Sequence, residues 1–232
     1  MSNTHGVRRA LALLLLAAVS ACSAGGASLT GATPTPPAYH GVEPDPVPDR
    51  PSWVLRDTSG RAFDLQAETK GRPTFVYFGY THCPDECPTA MADIAAALRK
   101  TTPDIRSEVR VLFVTTDPAR DTAPILRRWL DQFSKDFIGL LGTKEEVAAA
   151  QRASGIAPAY PEGPAPTLPG RPDAHAHKPG TAPHQHYGPL GYAVAHSAVI
   201  FAYDAADRLP VVYPGGVTPA DIAADLPVLA TS

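Results

Sequence analysis

Cys83 and Cys87, in the stretch "FGYTHCPDECP", are the residues of this sequence with the most distinctive chemistry. Two thiols at this spacing can form an inert disulfide, exchange electrons as a redox pair, or bind a soft metal ion such as copper(I) or zinc. A disulfide that closes so short a loop stabilises a protein only slightly. Their place after a predicted strand, beside Pro84 and Pro88, favours a functional pair and leaves redox and metal chemistry open.

The elements that position the two thiols are a strand and a helix. The run "TFVYFGY" (Thr74 to Tyr80) is rich in β-branched and aromatic residues and has the length of a buried strand. Apolar residues then recur with the spacing of one helix face, at Met91, Ile94, Ala95 and Leu98. A helix is therefore expected to begin near Asp85. Cys87 would lie in its first turn, where unpaired backbone N–H groups and the helix dipole lower the pKa of a thiol.

A metal site built on two sulfurs needs a further donor, and an imidazole is the most suitable one. His82 adjoins Cys83 on the strand side, where we expect a hydrogen-bonded neighbour of the site. His196 lies in the apolar run "YAVAHSAVIF", where a polar ring needs a partner, yet its residue type alone does not separate a ligand from a core histidine. A proline-rich stretch supplies four more histidines: His175, His177, His184 and His186.

Composition indicates one globular domain with extensions. The chain has 232 residues, a formal net charge of −3, 44% hydrophobic residues and 19% charged residues, which does not suit a nucleic-acid-binding protein. Many of its 26 prolines fall in two stretches. We expect residues 22–51 to be a disordered linker and residues from about 158 to 189 to be a surface insertion, whose histidines are either solvated or metal-binding.

The N-terminus has the pattern of an export signal. Arg8 and Arg9 precede the apolar run Ala10 to Val19, which is too short to cross a membrane, and "VSAC" follows. This pattern resembles a bacterial lipobox and predicts a signal peptide over residues 1–21. Cys22 would then be lipidated and anchor the protein to the extracytoplasmic face of the cell membrane. The alternative is ordinary signal cleavage that leaves Cys22 as a free thiol.

Strands and helices alternate along residues 52–232, which predicts an α/β domain with a mixed central sheet flanked by helices. A hairpin is expected around Asp57 to Gly60, and Thr143 with Glu146 forms a capping box that opens a helix. Near the end of the chain, a second antiparallel hairpin should turn around Asp204 to Arg208. A last helix should follow Thr218.

Four blocks of the sequence resemble one known family: "FGYTHCPDECP", "TTDPARDT", "FIGLLGT" and "HSAVIFAYD". The family is that of the Sco (SenC) copper-binding proteins, so the resemblance implies a thioredoxin-like fold. In that family, the two cysteines and a distant histidine bind one copper ion. Carried over to this chain, the resemblance implies that Cys83, Cys87 and His196 are ligands of Cu(I), Cu(II) or both.

Three alternatives remain for the function, of which the resemblance implies the first two. A membrane-anchored copper chaperone would supply copper to cytochrome c oxidase subunit II or to another copper protein. A thiol-disulfide reductase would use Cys83 and Cys87 as its catalytic redox pair. In a lipoprotein without either activity, the same two cysteines would form a structural disulfide. Ala195 departs from the family, which often has Asp before the histidine, and we expect loss of that carboxylate to weaken either the orientation of the imidazole or a contact with a partner.

The loop "TTDPARDT" has a structural interpretation. Asp117, Arg120 and Asp121 are expected to organise this loop, and Thr122 is expected to cap the helix that follows. A role for these residues in binding a partner protein is the alternative.

Overall fold

A computed structural model of the protein describes residues 39–162 and 193–232. The strands of this part are β1 (Val54–Asp57), β2 (Ala62–Asp64), β3 (Thr74–Gly79), β4 (Arg110–Thr115), β5 (Ile138–Leu141), β6 (Tyr160–Glu162), β7 (Ala193–Ala195), β8 (Ile200–Tyr203) and β9 (Val211–Tyr213). The helices are α1 (Leu65–Thr69), α2 (Glu86–Lys100), α3 (Pro103–Glu108), α4 (Ala123–Leu130), α5 (Lys144–Ala153) and α6 (Pro219–Thr231).

Seven of the strands form one mixed sheet in the order β2-β1-β5-β4-β3-β8-β9. The central strands β3, β4 and β5 run parallel, whereas β8 pairs antiparallel with β3 and β9 pairs antiparallel with β8. The α/β class, the thioredoxin-like arrangement and the late hairpin are thus confirmed. All six residues of β3 are buried, because the strand lies inside the sheet with side chains packed on both faces.

The two faces of the sheet hold two apolar clusters. Phe75 and Tyr77 of β3 point to the side covered by α2 and α6, and Val76 and Phe78 point to the side covered by α5. This alternation follows from the period of two in a strand. The apolar stripe that predicted α2 packs into the first cluster, with Met91 and Ile94 fully buried. The helix therefore fixes the position of its own first turn, which carries Cys87.

The expected linker over residues 22–51 is wrong at its C-terminal end. Within residues 39–51, Tyr39 is buried and Arg50 is only 2% exposed. The Arg50 guanidinium donates hydrogen bonds to the carbonyl oxygens of Thr69 (2.6 Å), Arg72 (3.0 Å) and Asp204 (2.8 Å). Polar and proline-rich composition suggested disorder, but these distant carbonyls order the segment. Residues 22–38, the signal peptide and Cys22 lie outside the described part.

The expected insertion begins later than residue 158. Tyr160–Glu162 form β6, which pairs antiparallel with β7, so the two ends of the insertion are joined by a short ladder next to His196. The four insertion histidines lie outside the described residues. Among the helices that are described, none is both long enough and apolar enough to cross a membrane.

Two predicted helix starts have different outcomes. The capping box of Thr143 and Glu146 is present at the start of α5. Thr122 does occupy the N-cap position of α4, but its side chain makes no capping hydrogen bond.

Candidate metal centre

At the junction between β3 and α2, one cysteine lies in the connecting loop and the other lies in the first turn of the helix. Cys83 lies in the connection, and its backbone N–H donates to the carbonyl oxygen of Tyr80 at 3.2 Å. Cys87 is the second residue of α2 and is fully buried. Gly79 ends β3 directly beneath it: a Cβ there would lie 2.8 Å from the Cys87 sulfur and 2.7 Å from the Tyr77 ring. The close approach of strand and sulfur therefore requires glycine.

A buried carboxylate fixes this connection to the next strand. Asp121, which is fully buried, accepts hydrogen bonds from the Thr81 N–H (2.9 Å), the Thr81 hydroxyl (2.5 Å) and the Thr115 hydroxyl (2.7 Å). Beside it, the Arg120 guanidinium donates to the carboxylate of Asp117. These contacts agree with the loop-organising role expected for the three charged residues.

His82 stands beside the site without joining it. Its Nδ1 lies 3.1 Å from the Thr81 hydroxyl and 3.6 Å from an oxygen of Asp121. The cluster of potential metal ligands in the described residues does not include it. His82 is therefore a hydrogen-bonded neighbour, as its position on the strand side predicts.

His196 reaches the two sulfurs from the opposite side, directly after β7. Its Nε2 lies 3.6 Å from the Cys87 sulfur, and the ligand atoms of Cys83, Cys87 and His196 all lie within 4.8 Å of one another. The rings of Tyr77 and Tyr80 stand edge-on to the imidazole, with centroids 6.1 and 5.6 Å away. The structure thus brings together the three residues that the family resemblance implied as ligands, across 109 residues of chain.

The two thiols differ in charge state because their surroundings differ. A hydrogen bond with Cys87, followed by one with His196, lowers the pKa of Cys83 to about 4 although the residue is partly buried. Burial, together with the hydrogen bond to Cys83, raises the pKa of Cys87. Both cysteines are free in this structure. At neutral pH the reduced pair therefore shares one negative charge, located mainly on Cys83.

The donor set fits a soft metal ion. Two sulfurs and one imidazole nitrogen are the ligands that copper(I) and zinc prefer, and no carboxylate of the described residues belongs to the cluster. Metal bonds of roughly 2.0–2.3 Å would set three donors in a plane roughly 3.5–4 Å apart. The 3.6 Å between Cys87 sulfur and His196 Nε2 lies in this range. Cys87 and His196 therefore need little rearrangement to bind such an ion together.

The outer nitrogen of the imidazole lacks its usual partner. His196 Nδ1 is buried, and nothing in residues 39–162 and 193–232 accepts a hydrogen bond from it. A metal-bound histidine normally donates this N–H to a carboxylate or carbonyl, which fixes the ring. Ala195 provides no carboxylate at the preceding position. The ring is held by the contact of its Nε2 with the Cys87 sulfur and by the edge-on rings of Tyr77 and Tyr80.

The site opens to solvent through a cleft of about 330 Å³. Cys83 and His196 line this cleft, whereas Cys87 lies behind them. Sequence reasoning missed Tyr77 and Gly79. The period of a strand could have identified them, because residues two apart on β3 share the face that packs on α2.

Comparison with known proteins identifies the family. The sequence model of SCO1/SenC matches residues 44–167, more than half of the chain. The chain belongs to the SCO1/SenC family. The matched segment contains both cysteines and ends before His196, so the histidine rests on the geometry of the site and on the resemblance.

Two relatives show how far sequence similarity extends. A putative copper-binding protein of Stutzerimonas stutzeri is 32% identical over 106 residues, which cover 46% of this chain and 52% of that protein. Protein SenC of Rhodobacter capsulatus is 38% identical over 107 residues, covering 44% of this chain and 45% of SenC. The matches thus span about half the length of these relatives.

Among solved structures, ScoI of Bradyrhizobium japonicum with copper bound is similar to this chain. The TM-score is 0.58 at 28% sequence identity, and the match covers 78% of this chain and 99% of that one. The structural match therefore extends over nearly all of that ScoI chain.

Proposed function

We propose that this SCO1/SenC protein is a copper chaperone that holds one copper ion at Cys83, Cys87 and His196. The convergence of two sulfurs and one imidazole nitrogen within 4.8 Å is the observation that carries the proposal. Copper-binding relatives support copper over zinc as the cargo. A partly exposed Cys83 at the cleft suits transfer, because a recipient ligand can reach the ion from that side.

We further propose where this chaperone acts. Residues 1–21 are a signal peptide, Cys22 carries the lipid anchor, and the folded domain stands at the extracytoplasmic face of the membrane. The recipient is cytochrome c oxidase subunit II or another copper protein there. The export pattern around Cys22 and membership of the SCO1/SenC family support this assignment.

A second candidate, thiol-disulfide exchange by the same cysteines, is favoured by the asymmetry of the pair. Cys83 is the accessible thiolate and Cys87 the buried thiol, which is the arrangement of an attacking and a resolving cysteine. His196 separates the two functions. Copper binding needs it as a ligand, whereas thiol exchange uses it only to help stabilise the Cys83 thiolate.

Copper titration of the reduced protein in competition with a chromophoric Cu(I) chelator tests the proposal. We expect one tightly bound ion per chain. Replacing an outer hydrogen-bond partner of a metal ligand typically costs about 10–100-fold in affinity, so loss of a ligand itself in Cys83→Ser, Cys87→Ser or His196→Ala should cost more. His82→Ala is the matched control and should bind like the wild type.

The variants also distinguish the two candidates. If His196→Ala binds copper as tightly as the wild-type protein while both serine variants lose thiol exchange, the chaperone proposal is wrong and the reductase is favoured. If all three variants bind like the wild type, the site is not a metal centre.

A further inference from the structure

A small cavity adjoins the cleft of the metal centre. It lies between α2 and the turn after β9, measures about 40 Å³, and is lined by Tyr77, Glu86, Asp93 and residues 214–217 among others. We call it the acidic cavity. Glu86 and Ala198 line both the acidic cavity and the larger cleft that contains Cys83. A molecule that enters the acidic cavity is therefore next to the reactive thiolate.

The carboxylates of this region are not neutralised within the described part of the chain. Asp85, Glu86 and Asp93 form no ion pair with a described Lys, Arg or His, and no lysine or arginine is among the described residues that line either cavity. Asp93 is partly buried, and desolvation raises the pKa of its carboxyl group. A positive charge placed between Glu86 and Asp93 would stabilise both carboxylates in their ionised form through Coulombic attraction.

A buried hydroxyl points to a ligand that donates hydrogen bonds. Tyr77 lines the acidic cavity and is 1% exposed; its hydroxyl can donate only to the Cys87 sulfur beside it, and no described residue donates a hydrogen bond to its oxygen. Buried polar groups of this kind normally have a partner, and an ammonium or guanidinium group could donate to the oxygen. Apolar walls formed by Ala90, Ile200 and Val217 complete the cavity and suit the methylene stem of a basic side chain.

The size of the acidic cavity decides the kind of ligand. Small-molecule sites usually measure about 300–1,000 Å³, so a cavity of about 40 Å³ takes only the end of a side chain. The adjoining cleft, about 330 Å³, has room for the segment that carries this side chain. The pair of cavities therefore matches a polypeptide with a basic residue close to its own thiol.

We propose that the acidic cavity binds a lysine or arginine side chain of the partner protein and so brings the partner's neighbouring cysteine to Cys83. The proposal rests on the proposed function, because it names the partner chemistry that the metal and thiol site would recognise. It assigns recognition to Glu86 and Asp93, which take no part in ligating the metal.

Charged peptide disulfides test this recognition with the reduced full-length protein. Three peptides each carry one cysteine, flanked by lysines, serines or glutamates, and joined to thionitrobenzoate as a mixed disulfide. The Cys83 thiolate attacks the peptide sulfur, a new disulfide joins Cys83 to the peptide, and the released thionitrobenzoate takes the electron pair of the broken bond. Its colour reports the rate.

We expect the lysine peptide to react at least about fivefold faster than the serine peptide at low salt, and the glutamate peptide to react more slowly than both. The variant Glu86→Gln/Asp93→Asn should lose this ranking, so that its rates with the lysine, serine and glutamate peptides become similar. The matched variant Asp104→Asn/Glu145→Gln removes two carboxylates that line neither cavity and should keep the ranking.

Equal wild-type rates for the lysine and glutamate peptides would overturn the proposal, and so would an unchanged ranking in Glu86→Gln/Asp93→Asn. Copper affinity is measured on the same proteins and should not change in that variant. A wild-type protein that ranks the peptides but binds no copper would contradict the chaperone function alone, so the two failures are distinguishable.

Discussion

Cys83 and Cys87 should differ strongly in their rates of alkylation, although both are cysteine thiols in one site. Cys83 is partly exposed with a pKa of about 4, whereas Cys87 is fully buried with a raised pKa. Iodoacetamide should therefore modify Cys83 first. An ordinary thiol has a pKa of about 8.5, so its alkylation rate falls steeply below about pH 8. The alkylation rate of Cys83 should fall only as the pH approaches about 4.

Peptide mapping by mass spectrometry after timed alkylation measures both rates. His196→Ala should move the rate profile of Cys83 to higher pH, because the imidazole hydrogen bond that stabilises the thiolate is removed. The protein unfolded in urea is the control, in which both cysteines should react alike with a midpoint near about pH 8.5. Equal rates at the two cysteines of the folded protein would contradict the charge distribution described for the site.

At the residue scale, sequence reasoning identified the thiols and not the histidine. The C-x-x-x-C motif is short, so the sequence alone indicates that the two thiols act together. His196 is 109 residues from Cys87, and only the fold brings these two residues together. The family resemblance supplied His196 for that reason. The missing hydrogen-bond partner of His196 Nδ1 could not be predicted from the sequence, apart from the absence of a carboxylate at Ala195. The hydrogen bonds of a buried ring depend on every element packed around it.

Elements with a strong hydrophobic period were predicted well. The runs that form β3 and α2 are apolar on the faces that the structure buries, so their local pattern and their packing agree. The short helices α1 and α3 were not predicted. Helices of five and six residues are marginal in isolation and depend on tertiary contacts, which a local pattern does not contain.

The segment before β1 was assigned incorrectly because one buried arginine holds it. Arg50 bonds to the carbonyl of Asp204, 154 residues away, and its guanidinium stacks over the Tyr203 ring at 5.3 Å. Such contacts exist only in the folded chain. The domain therefore begins before residue 51.

Arg50→Ala should destabilise the protein strongly. It would leave the carbonyls of Thr69, Arg72 and Asp204 buried without this donor, and unsatisfied buried groups cost about 1–3 kcal/mol each before relaxation. We expect the free energy of unfolding to fall by about 3 kcal/mol in urea titrations. The free energy of unfolding of Arg50→Lys should lie between those of the wild type and Arg50→Ala, because one ammonium group reaches fewer carbonyls than a guanidinium.

Arg56→Ala is the matched control for this experiment. Arg56 is exposed and donates to the carbonyl of Gly60 on the surface, so its loss should change stability by less than about 0.5 kcal/mol. If Arg50→Ala were as stable as Arg56→Ala, residues 39–51 would not be part of the folded domain in solution.

Across the whole molecule, the beginning and the end of the described chain meet at one carboxylate. Asp225 of α6 is 2% exposed and accepts hydrogen bonds from the His40 N–H (2.9 Å) and the Tyr213 hydroxyl (2.8 Å). It also lies 2.6 Å from His40 Nδ1. The contact connects the segment before β1 with the helix that covers the metal-centre side of the sheet.

This contact should make stability depend on pH. The hydrogen bond and the charge of Asp225, with a smaller effect of Asp221, raise the pKa of His40 above its usual 6.5. A raised pKa in the folded state means that the protonated pair stabilises the protein fully below about pH 6.5, and that this contribution disappears as the pH rises through the folded pKa. His40→Gln should therefore lower the urea midpoint at acidic pH more than at alkaline pH.

The comparison is made on urea midpoints of both proteins from about pH 5 to about pH 9, with an NMR titration of the His40 ring to locate its folded pKa. The difference between the two proteins should shrink over the same range in which the ring titrates, because one proton controls both. A difference that stays constant with pH would show that His40 contributes packing alone. The His40–Asp225 pair would then give no pH-dependent stabilisation, even though the 2.6 Å contact is made.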